Sequence, residues 1–550
     1  MMQSWGATEI TPKEWRWVFT VGGVLTALTL LPYAWALAAN ARAADWQFMG
    51  ILANPLDGAT YLAKIGLGIQ GEWIFHLTHT PEAHAGAAVY LFYILLGHVA
   101  HLIGVSNLVV FHLARVVATL FMFSTLYQLG ATIWTRERPR RLFFGLASLA
   151  SGLGWIALLF NVEASALPDL TVPEAYPLYA AYANPHFPLA IGCLALLAAS
   201  YVKVFRIDFR EEPAVANGGL TIFVLALVLA LVMPHALVPL GSTLVLYLVI
   251  TAARRRTIPV LELRWTAMLF LPAALVAVYL VLVLTYNPAV QIWNAQIHNL
   301  TAHPLLILLG YGLLPIVALP GLARAVRRFE EDGDQLMLLW LVVNLVAVFI
   351  PFNHQRRFMI GLVIPLVFFA VRSLEDYWLV RYSGRGRTVI PIALVLAVIP
   401  THVITLGVPL FGIVNPQAGL GQRLLLERDY WDVMVWLRHN GSAEDVVLSS
   451  PNVGLWIPAY ADKRVVYGHP FETLRSAARY TQVEDWFSGH ACYWPTQERD
   501  GYSVRYIVVG PQERALDNQE DGREPCYSSL GTMGSRILDF GAVTLYELPR

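Results

Sequence analysis

A chain of 550 residues is long enough for several domains, but 57% of it is hydrophobic, only 14% is charged, and its mean hydropathy is +0.54. Those figures exclude an ordinary soluble protein and require a polytopic helical membrane protein. Lys plus Arg and Asp plus Glu both number 38, so no net field draws the chain towards nucleic acid.

In chain order, apolar runs at 16–38, 107–134, 141–161, 187–206, 218–233, 235–252, 265–285, 303–324, 335–352, 358–373 and 388–411 predict about eleven spans. The first is too long for the apolar core of a signal peptide and lacks a following cleavage site. Five connections are basic: TRERPRR (135–141), KVFRIDFR (203–210), ARRR (253–256), RAVRRFEEDGD (324–334) and RYSGRGR (381–387). The positive-inside rule makes these cytoplasmic. The alternating connections are poor in basic residues: 39–106 has only Arg42 and Lys64, while 162–186 and 286–302 have none. This predicts a multi-pass protein of a bacterial-type cell membrane, with a cytoplasmic N-terminus and an extracytoplasmic C-terminus. Counting 87–104 as a span would break the alternation, so it reads as a helix at the outer interface, with His98 and His101 inside it.

PFNHQRRF (351–358) places Arg356 and Arg357 at an outer span end, against the charge rule. Two readings fit. Arginines snorkel to head groups, and paired guanidiniums bind phosphate or pyrophosphate.

Residues 1–411 read as the membrane domain, 412–424 as a linker and 425–550 as a small soluble α/β domain. In that domain YWDVMVWLRHNG and ETLRSAARYTQVEDWF predict helices, and DVVLSS, KRVVYG, VRYIVVG and AVTLYEL predict strands. It carries no phosphate loop, zinc spacing or nucleophile elbow, which fits an accessory role. Of three cysteines, Cys193 falls in an apolar run. Cys492 and Cys526 pair if the tail lies in an oxidising compartment, and otherwise stay free thiols.

The outward connections gather ionisable groups. Loop 39–106 supplies Asp57, Tyr61 and Lys64 at helical spacing, then His76, His79, Glu82 and His84; loop 162–186 supplies Glu163, Asp169, Glu174 and His186. His235 follows in MPHAL, His298 and His303 in IWNAQIHNLTAHP, and His354 beside the two arginines. Ionisable groups at membrane depth are costly and usually line a functional cavity. Asp57 is a candidate base and also a candidate N-cap, and Arg115, near the outer end of the second span, either enters the cavity or snorkels.

An outward Asp after the first span in DGATY, an interfacial helical segment HTPEAHAGAAVYLFYILLG, a following Arg115, an acidic second loop VPEAYPLY and a polar outer tail together resemble the GT-C superfamily of membrane glycosyltransferases. The likeness is to the protein-mannosyltransferase and aminoarabinose-transferase type, although Gly58 stands where an acidic partner often does. The resemblance implies a GT-C membrane bundle that moves a sugar from a polyprenyl-phosphate donor to an extracytoplasmic glycan, lipid or protein. It implies Asp57 as the base, Glu174 as a second carboxylate, and Arg356, Arg357, Lys64 and Arg115 on the donor phosphate. Tyr61, His84, His186, His235 and His354 would line the cavity. No cofactor is required, but Glu174 with His186 or His235 offers carboxylate and imidazole to a divalent metal. The competing reading is a non-catalytic bundle, either a transporter or a subunit of a larger membrane assembly. The clustering of charge at span ends and the lack of an internal repeat count against a transporter.

Overall fold

The computed structural model describes residues 10–205, 215–330, 333–382, 384–492, 501–517, 524–532 and 536–549. Most of the basic stretch expected at 203–210, and parts of those at 324–334 and 381–387, lie outside the described residues.

The chain is mainly helical. Among the described residues seven helices are long and apolar enough to cross a membrane: α1 (Pro12–Asn40), α4 (Asn107–Ile133), His186–Phe205, Pro234–Arg255, Val260–Tyr286, Gln355–Arg381 and Gly386–Val414. An eighth forms if Pro304–Gly310 and Leu314–Arg328, bent by 96°, are counted together. The bend falls at Gly310-Tyr311-Gly312, where Gly312 has φ +61°, a conformation that glycine adopts without a Cβ penalty. Two of the eleven expected runs make shorter helices. Run 141–161 divides into Glu137–Ser148 and Gly154–Leu159 around Ser151-Gly152, and run 335–352 stops at Ala347, short of Pro351. Run 218–233 lies in the 18-residue helix Val215–Val232. Before α4 come α2 (Pro55–Ile69) and α3 (Leu91–Ile103). At 13 residues α3 is too short to span. It buries Tyr93, Ile94, Gly97 and Ala100 and exposes Leu95, Val99, Leu102 and Ile103, the two-faced pattern of an interfacial helix.

The chain forms two compact units. The first holds the residues up to Leu30 with Leu113–Leu280 and His298–Val408; the second holds Leu31–His112, Val281–Ile297 and Pro409–Arg550. In the first, a T-P-K-E box starts α1: Thr11 N–H donates to Glu14 Oε2 at 2.9 Å and Glu14 N–H to Thr11 Oγ1 at 3.2 Å. The same Glu14 takes a 2.7 Å ion pair from Arg140 and a 2.7 Å hydrogen bond from Tyr127. One arginine of the basic connection 135–141 thereby becomes a buried staple, while Arg136 and Arg138 stay exposed.

The second unit is organised by a five-stranded sheet, order β4-β3-β5-β7-β6, and a two-stranded ribbon. The ribbon pairs β1 (Trp46–Phe48) antiparallel to β2 (Leu425–Glu427). In the sheet, β3 (Val446–Leu448) runs parallel to β4 (Arg464–Val465) and β5 (Val504–Val509). The closing hairpin of β6 (Arg536–Phe540) and β7 (Val543–Glu547) pairs antiparallel to β5 through β7. The helices expected in the tail are present at Arg428–His439 and Ser476–Phe487. Helix Pro451–Tyr460 and strand β6 were not anticipated: NVGLWIPAY lacks polar punctuation, and RILDF is mostly exposed. One hydrophobic core takes Leu62 and Ile65 from α2, Tyr93 and Ala100 from α3, Trp456 and Tyr460 from the tail, and Val508 and Leu545 from the sheet. Each such fully buried large side chain contributes about 1.5–3 kcal/mol, so the segment after α1 and the tail fold as one body. Tyr460 Oη donates to Met49 O at 2.6 Å and Asn107 Nδ2 to Ala459 O at 2.7 Å, satisfying buried carbonyls in the same seam.

Cys492 and Cys526 are joined in a disulfide across 34 residues of sequence, with Cα atoms 5.2 Å apart. Closing a loop of that length is worth about 2–4 kcal/mol. The C492S/C526S variant is therefore expected to lower the unfolding midpoint of the tail, read by thermal unfolding of the purified chain with and without reductant. An equal midpoint would show that the bridge does not constrain the unfolded state.

Candidate active site

In the first unit the connection 162–186 is a series of short turns, Ala164–Ala166, Pro168–Thr171, Pro173–Ala175 and Pro177–Tyr182. Three open on proline, whose fixed φ suits a first helical position and whose missing N–H ends what precedes it. The result is a folded loop that carries Asp169 and Glu174 inward, each at most 5% exposed. Glu163 remains at the surface.

Asp169 Oδ2 accepts from Gly154 N–H at 2.8 Å, while Thr401 Oγ1, 3.4 Å from that oxygen, donates to Gly152 O at 2.9 Å. Burial pushes its carboxyl up to about 6, against hydrogen bonds that pull it down. Because the folded value lies above the ordinary 3.8, this group's stabilising contribution is full below about pH 4 and is lost as pH rises through 6, about 3 kcal/mol in all. D169N is expected to flatten the fall in unfolding midpoint between pH 4 and 6. A slope identical to that of the unsubstituted chain would exclude Asp169 as its source.

Glu174 lies in the turn 173–175, which packs against the turn Gln355–Met359. That turn carries Arg356 and Arg357, and it also packs against Pro234–Ala236, which carries His235. The rings of His235 and His354 lie 5.4 Å apart. Burial, then the Arg357 charge, pushes His354 down to about 4, so it is a neutral imidazole at physiological pH. Arg356 is fixed by Asn299, its N–H donating to Asn299 O at 3.1 Å and its Nη2 to Asn299 Oδ1 at 3.3 Å. It lines a cavity of about 150 Å³ with Ser165, Thr171, Thr301, His303 and Met359. Glu174, His235, His354, Arg356 and Arg357 are thus drawn to one neighbourhood of the first unit.

Other expected site residues serve different ends. Arg115 is buried in α4, and its Nη1 donates to Ala181 O at 2.9 Å and Tyr182 O at 3.1 Å. Through Nη1 it holds the C-terminal carbonyls of the 177–182 helix. His186 opens the helix that begins there and is 6% exposed. Among the described residues no three His, Cys, Asp or Glu side chains are grouped to hold a metal ion. The chemistry below is derived from the side chains alone.

In the second unit Asp57 stands in the first turn of α2, after Asn54 in a left-handed conformation and Pro55. The N-cap position belongs to Asn54, and Asn54 Nδ2 donates to Asp57 Oδ2 at 2.6 Å, leaving the half-buried carboxylate aimed and its other oxygen unused by that bond. Tyr61, one turn on, lies flat on Tyr93 at 4.2 Å and is packing rather than lining. His84 accepts from Leu77 N–H at 2.9 Å and donates to Glu82 O at 2.8 Å, which shapes its own loop. His79 is fully buried and donates through Nε2 to Leu455 O at 3.0 Å, and Glu82 forms a 2.5 Å ion pair with Arg479. Lys64 is 1% exposed and ion-paired with Glu472 at 2.6 Å, which removes it from the expected phosphate contact. Glu472 and its neighbour His469 were missed, and nothing in GHPFET signals them without the partner 408 residues away.

No protein-family profile and no curated protein sequence matches the chain. Solved structures do. The oligosaccharyltransferase of Archaeoglobus fulgidus in its apo form superposes with TM-score 0.55 at 11% identity, over 97% of this chain and 74% of that one. The same protein in complex with zinc and sulfate gives 0.50 at 11% identity, over 89% and 67%. ArnT of Cupriavidus metallidurans gives 0.48 at 13% identity, over 95% and 97%. By the superposition at 0.55 the chain shares the fold of the A. fulgidus oligosaccharyltransferase, and it is a multi-pass membrane protein.

Proposed function

We propose that this chain is a membrane glycosyltransferase that moves a sugar from a polyprenyl-phosphate-linked donor to an extracytoplasmic acceptor, be it glycan, lipid or protein. The observation that carries the reading is the gathering, on a GT-C fold, of Arg356 and Arg357 with Glu174, His235 and His354, because the turns 173–175 and 234–236 each pack against the turn 355–359. Charge-assisted hydrogen bonds from guanidinium suit the phosphate that leaves with the lipid. The neutral imidazole of His354 beside them adds a donor without a further fixed charge. Asp57, held by Asn54 at the start of α2, takes the proton of the acceptor hydroxyl or amide as the sugar carbon is attacked. Glu174 assists as the second carboxylate.

The basic connections support a cytoplasmic N-terminus and an outward C-terminal domain. Residues 425–550 would then be the extracytoplasmic part that follows a membrane domain ending near 411. The A. fulgidus structure holds zinc and sulfate, and in this chain Glu174 with His186 or His235 would offer a divalent ion a carboxylate and an imidazole.

The test is R356Q and R357Q, assayed for consumption of polyprenyl-phosphate-linked sugars in membranes that contain the full chain. A lost charge-assisted contact is worth about 1.5–3 kcal/mol, so turnover of the lipid-linked donor should fall about 10- to 100-fold. Unchanged turnover in both variants would remove the arginines from the mechanism.

A further inference from the structure

Lys64 lies two turns beyond Asp57 on α2, and its ammonium is enclosed. The rings of Tyr90, Tyr61 and Phe75 stand 4.4, 5.2 and 5.2 Å from Nζ, and Glu472 Oε1 lies at 2.6 Å. The socket around Glu472 is built by the tail. His469 Nδ1 accepts from Phe471 N–H and Glu472 N–H, both at 3.1 Å, which fixes the turn that presents the carboxylate. Thr473 Oγ1 accepts from Gly468 N–H at 3.2 Å and His469 N–H at 3.1 Å, and donates to His79 O at 2.6 Å. Leu474 N–H donates to Thr80 Oγ1 at 3.2 Å, and Glu472 Oε2 lies 4.0 Å from His79 Nδ1. Gln296, from the segment 281–297, closes the same turn by donating to Phe471 O at 3.0 Å and Thr473 O at 2.9 Å.

A buried ion pair of this kind adds little net stability over apolar residues of like size, but removing one partner strands a charge in a dry site. Its worth lies in specifying one arrangement. Apolar contacts between α2 and helix Pro451–Tyr460 tolerate small slides, whereas an ammonium within a ring-walled socket accepts one axial position of α2. We propose that Glu472 is a positioning residue: through Lys64 it fixes the setting of the helix that carries Asp57, so the C-terminal domain sets the geometry of the catalytic base. This rests on the transferase reading above and gives the tail a task that its lack of catalytic motifs left open.

Hydrogen exchange on the full chain in lipid nanodiscs, paired with turnover of polyprenyl-phosphate-linked sugar, tests it. In E472Q the amides of 55–69 should exchange at least tenfold faster, while β5, β7 and His186–Phe205 keep their rates. The kcat should fall with KM for the lipid-linked donor unchanged. K64M/E472M, with both charges removed, should regain protection of 55–69. D57N should lose turnover with no change in exchange. Unaltered exchange over 55–69 in E472Q overturns the proposal, as does faster exchange spread equally over β5 and β7, which would mean loss of the tail fold. Full turnover in D57N with the E472Q exchange as expected would instead sink the transferase reading and leave the coupling of tail to helix standing.

Discussion

D57N is expected to lower kcat/KM for sugar transfer by about 10²- to 10⁴-fold, the range supplied by a positioned general base. The substitution keeps the local structure, because an amide oxygen at residue 57 accepts from Asn54 Nδ2 as the carboxylate does. The carboxylate also interacts favourably with the N-terminal dipole of α2, but a charge there is worth only about 0.3–1 kcal/mol, at most about a fivefold effect. A loss of two orders of magnitude is thus too large for a helix-end effect, and a loss below tenfold would assign Asp57 to helix stability alone. D57E, which restores the base but moves it by one methylene, should recover part of the rate. The checks are turnover of lipid-linked sugar by the purified chain and an unfolding midpoint within a degree or two of the unsubstituted protein.

Asp57 could be singled out because its signal is local: a carboxylate after an apolar run, with Tyr61 and Lys64 at helical spacing. The paired arginines were legible for a similar reason, since charges that defy the charge bias of their loop stand out against it. Placing Arg356 and Arg357 near Glu174 and His235 was harder, and it rested on all of them sitting at span ends, where membrane topology limits what can meet. That the chain is a polytopic helical membrane protein followed from hydropathy alone. Its details did not. Whether 141–161 makes one span or two short helices depends on how Ser151 and Gly152 pack, and the backbone of Gly310 lies so close to Gly152 that a Cβ there would collide with it. Propensity cannot see such a contact.

Lys64 shows the other limit. As a lone cation in a loop poor in basic residues it looked like a ligand for phosphate, and only its burial against Glu472 shows the charge to be spoken for. Arg115 poses the same difficulty, because a buried arginine that ties down two backbone carbonyls is identical in sequence to one that enters a cavity. Glu174 is preferred to Asp169 and Glu163 on the family resemblance, with no ground in the loop itself. The structure separates Asp169 and Glu174 by surroundings: one is tied to Gly154 N–H beside Thr401, the other sits in the turn against the two arginines. In each case the deciding partner is far along the chain, and pairings between distant residues are what a single sequence leaves unspecified.

The second large effect is expected at the crossing of α2 and α3. A Cβ on Gly97 would collide with the carbonyl oxygen of Ile65 and stand 2.6 Å from Gly68 Cα; one on Gly68 would collide with Ile94 O and stand 2.9 Å from Gly97 Cα. These neighbours are backbone, so no rotamer change relieves them, and the helices must separate by about 1 Å to reach ordinary contact. Overpacking of this kind costs about 1–3 kcal/mol. The functional cost should exceed that, because α2 carries Asp57 and a displacement of about 1 Å in a reacting group can cost about 10²-fold in rate. G97A should therefore lower kcat by about 10²-fold while leaving His186–Phe205 and the tail sheet protected from hydrogen exchange. G23A is the control, since nothing lies within 4 Å of a Cβ at that position and alanine is the better helix former. If G97A turns over as fast as G23A, the close packing of α2 on α3 does not set the position of Asp57, and the base tolerates more movement than a positioned carboxylate should.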